Sequence, residues 1–339
     1  MIRLYQPTSS VRPGRTTQPI RSVYLRISVN DRCNLRCLYC RPAGDRVSGP
    51  SLNLRRDDRQ LSIDEYLDLI AAIRAVCPIH KVRITGGEPL LNHDVPDLIA
   101  AIKNKFPGIQ TALTTNGLLL SRYAEALQRA GLDRLNISLD AIDQDMFEAM
   151  GRGGKVANVV DGVLRAQSLG FVGTRFNTVL MKSFNSDQLT RLVGFAAEVK
   201  CEIRFIELMP IGEGAAFFED NYITAAEVLK ILKQEFQVLE SLPDSATAQR
   251  YRLAGAGGQV DVGFITTTSD PFCDRCDRLR LNHRGELYSC IKATRGADLL
   301  TPLRQLEPEE VGIRIAQTLQ QKSQAIVPWP SRNMVHIGG

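Results

Sequence analysis

Six of the eight cysteines fall into two triplets whose spacing suits metal centres. The first is Cys33, Cys37 and Cys40 in "DRCNLRCLYCRP", spaced Cys-x3-Cys-x2-Cys. The second is Cys273, Cys276 and Cys290 in "FCDRCDRLRLNHRGELYSC", spaced Cys-x2-Cys-x13-Cys. Thiolates bind zinc or iron–sulfur clusters. Structural zinc wants four ligands, often as two separated pairs, and the first triplet offers three thiols on one short loop. A [4Fe–4S] cluster normally takes four cysteines, so three leave one iron open to another molecule. An open iron is a reactive site rather than an electron carrier alone. The second triplet reads the same way, and its open iron would accept a substrate nitrogen or oxygen. Zinc held by those three thiolates and nearby His283 is the competing reading. Cys77 and Cys201 stand alone in apolar or strand-like sequence and read as small buried hydrophobes.

The elements that must hold these residues alternate. Strand-like runs occur at 24–30, 81–85, 111–115, 134–140, 174–181 and 202–209. Helical patterns fall between them. Ser62 and Glu65 form a capping box before an apolar-periodic helix that stops at Pro78, and Thr224 with Glu227 forms another at the head of 224–236. Helices are also expected over Asp97–Phe106 and near 121–130, 157–169 and 187–199. Six β/α units in succession predict a parallel sheet with crossover helices. Six is two short of a full TIM barrel. The expected fold is α/β: a partial (β/α)6 TIM-type barrel with an open side, spanning 21–237. A polar lead-in over 1–20 precedes it. The C-terminal region, 238–339, opens with a weakly structured junction over 238–258. It carries the second triplet, a helix near 309–322 and a diglycine end, Gly338-Gly339. Residues 41–60 read as a polar loop.

Side chains alternate across a strand. That rule puts Arg26 and Ser28 on one face of the first strand, and Lys81, Arg83 and Thr85 on one face of the second. Asn136, Ser138 and Asp140 share a face of the fourth, Arg175 and Asn177 of the fifth, Glu202 and Arg204 of the sixth. A strand buried on both sides is apolar on both, whereas these are amphipathic. With helices on the apolar face, Arg26, Lys81, Arg83, Arg175 and Arg204 would line one wet cavity. Cations gathered together demand an anionic guest, and arginine suits phosphate. Arg278 and Arg280 share a face of "DRLRL" and add two cations beside the second triplet.

Composition narrows the class. The chain is 44% hydrophobic, 23% charged and +5 in formal charge, enough apolar content for a core and too little net charge to argue for nucleic acid. Aromatics are only 6% and are not interleaved with the basic residues, which disfavours a nucleic-acid surface. No apolar run is long enough to span a membrane. The N-terminus lacks the apolar core of a secretory signal, and clustered cysteines fit a reducing compartment. The expected location is the cytoplasm.

Cys33-x3-Cys37-x2-Cys40 with Tyr39, followed by "TGGEP" at 85–89, resembles the signature of the radical S-adenosylmethionine (SAM) superfamily. With "LRISVNDRCNLRCLYC", "VRITGGEPLL", "TTNG", "RLNISLDA", "IRFIELM", "CDRCDRLRL" and the diglycine end, the chain is similar to the GTP 3′,8-cyclase (molybdenum cofactor biosynthesis protein A) family from about Arg21 to Gly339. The resemblance implies two [4Fe–4S] clusters and SAM as cofactors. It implies SAM contacts at Tyr39, Gly86, Gly87, Ser138 and Met209, with Glu88 meeting the SAM amino group. It implies GTP contacts at Arg26, Arg83, Thr114, Arg278 and Arg280, with Lys81 and Arg204 around the same pocket. Arg175 stands where the family has lysine; the charge is kept and the geometry is not. The implied reaction cleaves SAM reductively to a 5′-deoxyadenosyl radical, which takes hydrogen from C3′ of GTP. The carbon radical then attacks C8, giving (8S)-3′,8-cyclo-7,8-dihydroguanosine 5′-triphosphate. A one-electron donor such as flavodoxin or ferredoxin and a following enzyme that forms cyclic pyranopterin monophosphate are implied partners. A homodimer is compatible with the sequence. The resemblance also suggests that Gly338 and Gly339 reach into the active site. Another radical SAM enzyme with an auxiliary cluster, such as a peptide-modifying one, is the alternative.

Overall fold

The structure is a computed structural model that describes residues 22–44, 60–245, 247–324, 329–331 and 334. The lead-in over 1–20, most of the polar loop over 41–60 and Gly338-Gly339 lie outside the described residues.

Strands β1 (Val23–Ser28), β2 (Ile79–Thr85), β3 (Gln110–Thr115), β4 (Arg134–Ser138), β5 (Arg175–Val179) and β6 (Glu202–Ile206) match the six expected runs. Between them lie α1 (Ile63–Val76), α2 (Val95–Lys105), α3 (Leu120–Arg129), α4 (Gln144–Gly151), α5 (Val156–Ser168), α6 (Lys182–Asn185) and α7 (Leu189–Glu198). Then follow α8 (Gly214–Asn221), α9 (Ala225–Leu232), β7 (Gln237–Ser245), β8 (Ala248–Gly255) and β9 (Gly258–Ile265). The chain continues through β10 (Arg278–Leu281), β11 (Glu286–Tyr288), β12 (Ala297–Asp298), α10 (Leu300–Arg304) and α11 (Pro308–Gln324). Both capping boxes form: Ser62 Oγ accepts from the Glu65 N–H at 3.2 Å while Glu65 accepts back from the Ser62 N–H at 2.7 Å, and Thr224 pairs with Glu227 likewise. Helix α4, at the first cysteine loop, was not expected. Its N-cap Asp143 and the Phe147/Met150 stripe are its signals in the sequence.

The apolar strand face is the core. Leu25, Ile27, Val82, Ile84, Phe176 and Phe205 are solvent-free and pack against α1, α2, α5 and α7. Each such side chain contributes roughly 1.5–3 kcal/mol by leaving water. Burying one face this thoroughly fixes strand register, because a one-residue slip would turn every arginine of the other face into the core.

The C-terminal region departs from expectation. Residues 238–258 are not a weak junction; β7, β8 and β9 form an antiparallel meander there. The charged Glu240, Arg250 and Arg252, with Pro243, Gly255 and Gly257, disguise strands that lie at the edge of the sheet, where polar residues are tolerated. The sheet order is β12-β11-β10-β1-β2-β3-β4-β5-β6-β9-β8-β7. Strand β9 runs parallel to β6, and β10 runs parallel to β1. The six-stranded parallel array is thus extended by one parallel strand at each edge. The connection from β9 to β10, residues 266–277, leads from one edge of that array to the other, and it carries Cys273 and Cys276.

A buried carboxylate anchors that connection. Glu207, 1% exposed, accepts from the N–H groups of Ala225, Thr268 and Ser269 at 3.2, 3.0 and 2.9 Å, and from Ser269 Oγ at 2.5 Å. Glu207→Ala strands these donors and is expected to cost about 2 kcal/mol. Thermal unfolding of the variant beside the wild type checks this, with a lowered Tm as the expected result.

Candidate active site

A single cavity of about 540 Å³ is lined by all six clustered cysteines and by the polar strand face. Chain direction orders it. Cys33 follows the C-terminal end of β1, whereas Cys276 precedes the N-terminal end of the parallel strand β10. The triplets therefore sit at opposite ends of the strands, with the cations between them.

The first triplet lies on the loop after β1. The Leu35 N–H points at Cys33 Sγ at 3.4 Å and Asn116 Nδ2 at 3.8 Å. Burial pushes the Cys33 thiol up to about 12, with Glu88 acting in the same sense. Burial and Asp140 raise Cys37 as well. Thiols this reluctant to ionise alone become thiolates when a metal supplies the positive charge. The loop after β2 packs against them: the Gly87 N–H donates to Asn30 O at 2.9 Å and the Glu88 N–H to Arg32 O at 2.7 Å. A Cβ on Gly87 would lie 2.1 Å from Arg32 O, and one on Gly86 2.9 Å from Asn30 O, so both positions require glycine. Gly86, Gly87, Tyr39, Ser138 and Met209 all line the cavity. The Tyr39 hydroxyl donates to Asp140 Oδ2 at 2.7 Å, and Asp140 Oδ1 accepts from the Val179 N–H at 2.8 Å. Burial lifts Asp140 to about 6 despite those two bonds.

Glu88 is placed differently. Its carboxylate is solvent-free and accepts from the N–H groups of Leu90 and Asn116 at 3.0 and 2.7 Å and from Thr115 Oγ1 at 2.7 Å. Burial raises it to about 7 against these bonds. The side chain ties the β2 loop to the β3 loop instead of facing the cavity. The expectation that Glu88 meets a SAM amino group is not supported by this placement.

Between the triplets, register aligns the cations. Arg280, Arg26 and Arg83 are direct neighbours on β10, β1 and β2, and Arg278, Tyr24 and Lys81 form the next row. Arg83 Nη1 donates to Thr114 Oγ1 at 2.9 Å. Burial and then Arg280 push the Arg26 guanidinium well below its ordinary value, and burial and then Arg278 bring Arg280 down to about 10. Across the cavity Glu202 receives Arg175 Nε at 2.7 Å and Arg204 Nε at 2.6 Å. Asn136 Oδ1, Asn177 Oδ1 and Arg278 Nε are buried without a hydrogen-bond partner, and all three residues line the cavity. A polar guest would satisfy them.

At the second triplet, Lys322 Nζ lies 3.4 Å from Cys276 Sγ and 3.1 Å from Ser289 O. Although burial alone would raise the Cys276 thiol, Lys322 and Arg278 bring it below its ordinary value. Lys292 Nζ stands 3.7 Å over the Trp329 ring. His283 does not line the cavity with these cysteines. Among the described residues no three His, Cys, Asp or Glu side chains converge closely enough for a single metal ion. Sequence reasoning overlooked Tyr24, which alternation alone puts beside Arg26, and Lys322, which nothing in the α11 pattern marks. Cys77 and Cys201 are buried, as expected of small hydrophobes.

Comparison with known proteins agrees with this arrangement. Residues 27–196 match the Radical SAM superfamily, and residues 201–327 match Molybdenum Cofactor Synthesis C. The GTP 3′,8-cyclase of Alkaliphilus metalliredigens is 38% identical over 325 residues, covering 93% of this chain and 97% of that one. The GTP 3′,8-cyclase of Pelotomaculum thermopropionicum is 37% identical over 329 residues with the same coverage. This chain belongs to the GTP 3′,8-cyclase family. Its fold is shared with Streptococcus suis SuiB bound to the precursor peptide SuiA: TM-score 0.59 and 17% identity over 84% of this chain and 64% of that chain. That likeness is one of fold.

As a member of the GTP 3′,8-cyclase family, the chain is a radical SAM enzyme, and the superfamily's cofactors are an iron–sulfur cluster and SAM. The first triplet fits the cluster by its three thiols, and Gly86 and Gly87 let the β2 loop pack against the Asn30 and Arg32 backbone of the cysteine loop. Gly87→Ala drives a Cβ into the Arg32 carbonyl and displaces the cysteine loop. The expected result is loss of iron from anaerobically purified protein, measured by iron and sulfide analysis.

Proposed function

We propose that this chain is a radical SAM GTP 3′,8-cyclase of molybdenum cofactor biosynthesis, converting GTP to (8S)-3′,8-cyclo-7,8-dihydroguanosine 5′-triphosphate. The observation that carries the reading is one cavity with a thiol triplet at each end and Arg26, Arg83 and Arg280 in register between them. Cys33, Cys37 and Cys40 would hold one [4Fe–4S] cluster, and Cys273, Cys276 and Cys290 a second. Held by these cysteines, the first cluster would supply with SAM the radical chemistry at the ribose, and the second would supply a binding site for the base. The chain's own residues do the positioning. Tyr39, Gly86, Gly87, Ser138 and Met209 surround SAM. Arg26, Lys81, Arg83, Thr114, Arg175, Arg204, Arg278 and Arg280 surround the triphosphate, with the fork geometry that arginine offers phosphate oxygens. Arg175 and Arg204 keep their orientation through Glu202.

The alternative, modification of a peptide, finds support in the fold shared with SuiB. The cation rows argue against it. Peptide backbone is neutral and offers nothing to compensate adjacent buried arginines, whereas a triphosphate does.

The reaction needs a one-electron donor, for which flavodoxin or ferredoxin is the proposed class, and a following enzyme that consumes the cyclised nucleotide. No helix of the described residues is long and apolar enough to cross a membrane. The cytoplasm is the proposed location.

Anaerobic iron and sulfide analysis of wild type beside Cys273→Ala/Cys276→Ala/Cys290→Ala tests the two-cluster reading. About eight irons falling to about four is the expected result. Four irons with zinc in the second site would overturn it. In a GTP turnover assay, Arg280→Ala is expected to lower kcat/KM about tenfold to hundredfold, the worth of a charged hydrogen bond.

Trp329 and Met334 line the cavity, and the Gly212 N–H reaches Pro330 O at 3.4 Å. These contacts support the proposal that the chain end, Gly338-Gly339, reaches the active site. Deleting both glycines should abolish turnover while leaving iron content unchanged, and full turnover would reject it.

A further inference from the structure

Tyr24 has no part in the roles above, yet it stands at the centre of the cation rows. Its backbone is in register with Lys81 on β2 and with Arg278 on β10. Arg83 Nε donates a hydrogen bond to its phenol oxygen. Lys81 Nζ lies 5.3 Å from the ring centroid, and the guanidinium carbons of Arg83 and Arg278 lie 5.7 and 5.8 Å from it. Three cations thus face one aromatic ring, whose quadrupole attracts them. The phenol oxygen is occupied as an acceptor, so its own proton is left to donate. The residue lines the cavity.

We infer that Tyr24 is a positioning residue for the triphosphate: its oxygen and ring hold Arg83, Lys81 and Arg278, and its O–H donates to a phosphate oxygen. The inference deepens the reading of the cavity as a GTP site and rests on it.

The charges around the phenol give this a measurable consequence. Facing it are Arg26 from β1, His80, Lys81 and Arg83 from β2, and Arg278 and Arg280 from β10. Asp277, the carboxylate beside β10, pairs with His80 at 3.4 Å. Burial would raise the phenol, but Arg83, Arg26, Arg278 and Lys81 together outweigh it and bring it down to about 8. A bound triphosphate compensates those cations and returns the phenol toward its ordinary value. Binding then takes up a proton wherever the free phenol has lost one. Affinity for the anion is flat below pH 8 and falls above it. If the phenol returns to about 10 in the complex, the fall by pH 9 is about tenfold. Burial also lowers the Lys81 ammonium, whose loss weakens binding in the same direction, so the comparison must isolate Tyr24.

Tyr24→Phe does so. It keeps the ring and removes only the oxygen. The experiment is anaerobic calorimetry of GTP and of inorganic tripolyphosphate binding to cluster-loaded wild type and Tyr24→Phe. It runs from pH 7 to 9 in two buffers of different ionisation heat. The difference between the two proteins cancels protons exchanged by the ligand, and because the Tyr24 phenolate also raises the Lys81 ammonium, the same pair is compared in a Lys81→Gln background. Expected are weaker binding by Tyr24→Phe at pH 7, by about tenfold, and proton uptake near pH 9 that is smaller in the variant. In wild type alone, tripolyphosphate, which does not absorb in the ultraviolet, should diminish the tyrosinate band at pH 8.5. Equal affinities and equal proton uptake in the two proteins would overturn the inference alone, as would an unchanged tyrosinate band on binding. Failure of both ligands to bind wild type would overturn the GTP reading, and the inference with it.

Discussion

Three arginines lie side by side across three hydrogen-bonded strands. Arg280, Arg26 and Arg83 are register neighbours, and two of them are less than 6% exposed. Like charges opposite one another in a sheet destabilise it, and taking each cation out of water costs several kcal/mol before any interaction offsets it. Such a row persists only if the rest of the fold holds it. Leu25, Ile27, Val82 and Ile84 on the other face, packed under α1 and α2, do that work. The apolar layer fixes the strand faces, and the faces fix the arginines. A guest with several negative charges complements that row.

The opposite wall solves the same problem locally. Glu202 is one carboxylate shared by Arg175 and Arg204, with Arg250 Nε at 3.6 Å from β8. Its neighbours pull it below the usual carboxylate range although burial opposes them. Arg204 has room for this pose because residue 263 beside it is glycine, where a Cβ would stand 3.2 Å from Arg204 Cγ. One wall shares a carboxylate among its arginines, and the other sets three arginines side by side. A polyanion entering the cavity is drawn to the Arg26 wall, which gives the guest an orientation before any base-specific contact forms. The replacement of lysine by arginine at 175 is consistent with this division: a guanidinium keeps its fork for Glu202 and still presents charge to the cavity.

Much of this was legible in the sequence because period-two alternation is strict in buried strands. It assigned Arg26, Lys81, Arg83, Arg175 and Arg204 to one face, and the structure brings them to one cavity. The thiol spacings and glycine pair were equally readable, since each depends on local chain geometry. What was not legible depends on tertiary placement. The β7–β8 hairpin looked like a loop because an edge strand needs no apolar alternation. Glu88 seemed to face the site, but its direction is set by Thr115 and Asn116, which arrive from the next unit. Lys322 comes from a helix more than thirty residues after Cys290 and shows no pattern that points to Cys276.

The topology also explains why the C-terminal region belongs to the site rather than beside it. A six-stranded parallel array has two raw edges, and parallel sheets are stable when covered. Here β9 and β10 extend those edges, so the 266–277 connection leads from one side of the array to the other. The second triplet starts on that connection, with Cys273 and Cys276 just before β10. It begins before β10, while the first triplet begins after β1, and the strands are parallel. The two thiol sites therefore face each other along the strand axis with the arginine rows as spacer. A guest anchored by its charges in the middle can meet both ends at once. Any shift of β10 relative to β1 would move Arg280 away from Arg26 and the second triplet away from the first together, so strand register carries the alignment of the whole site.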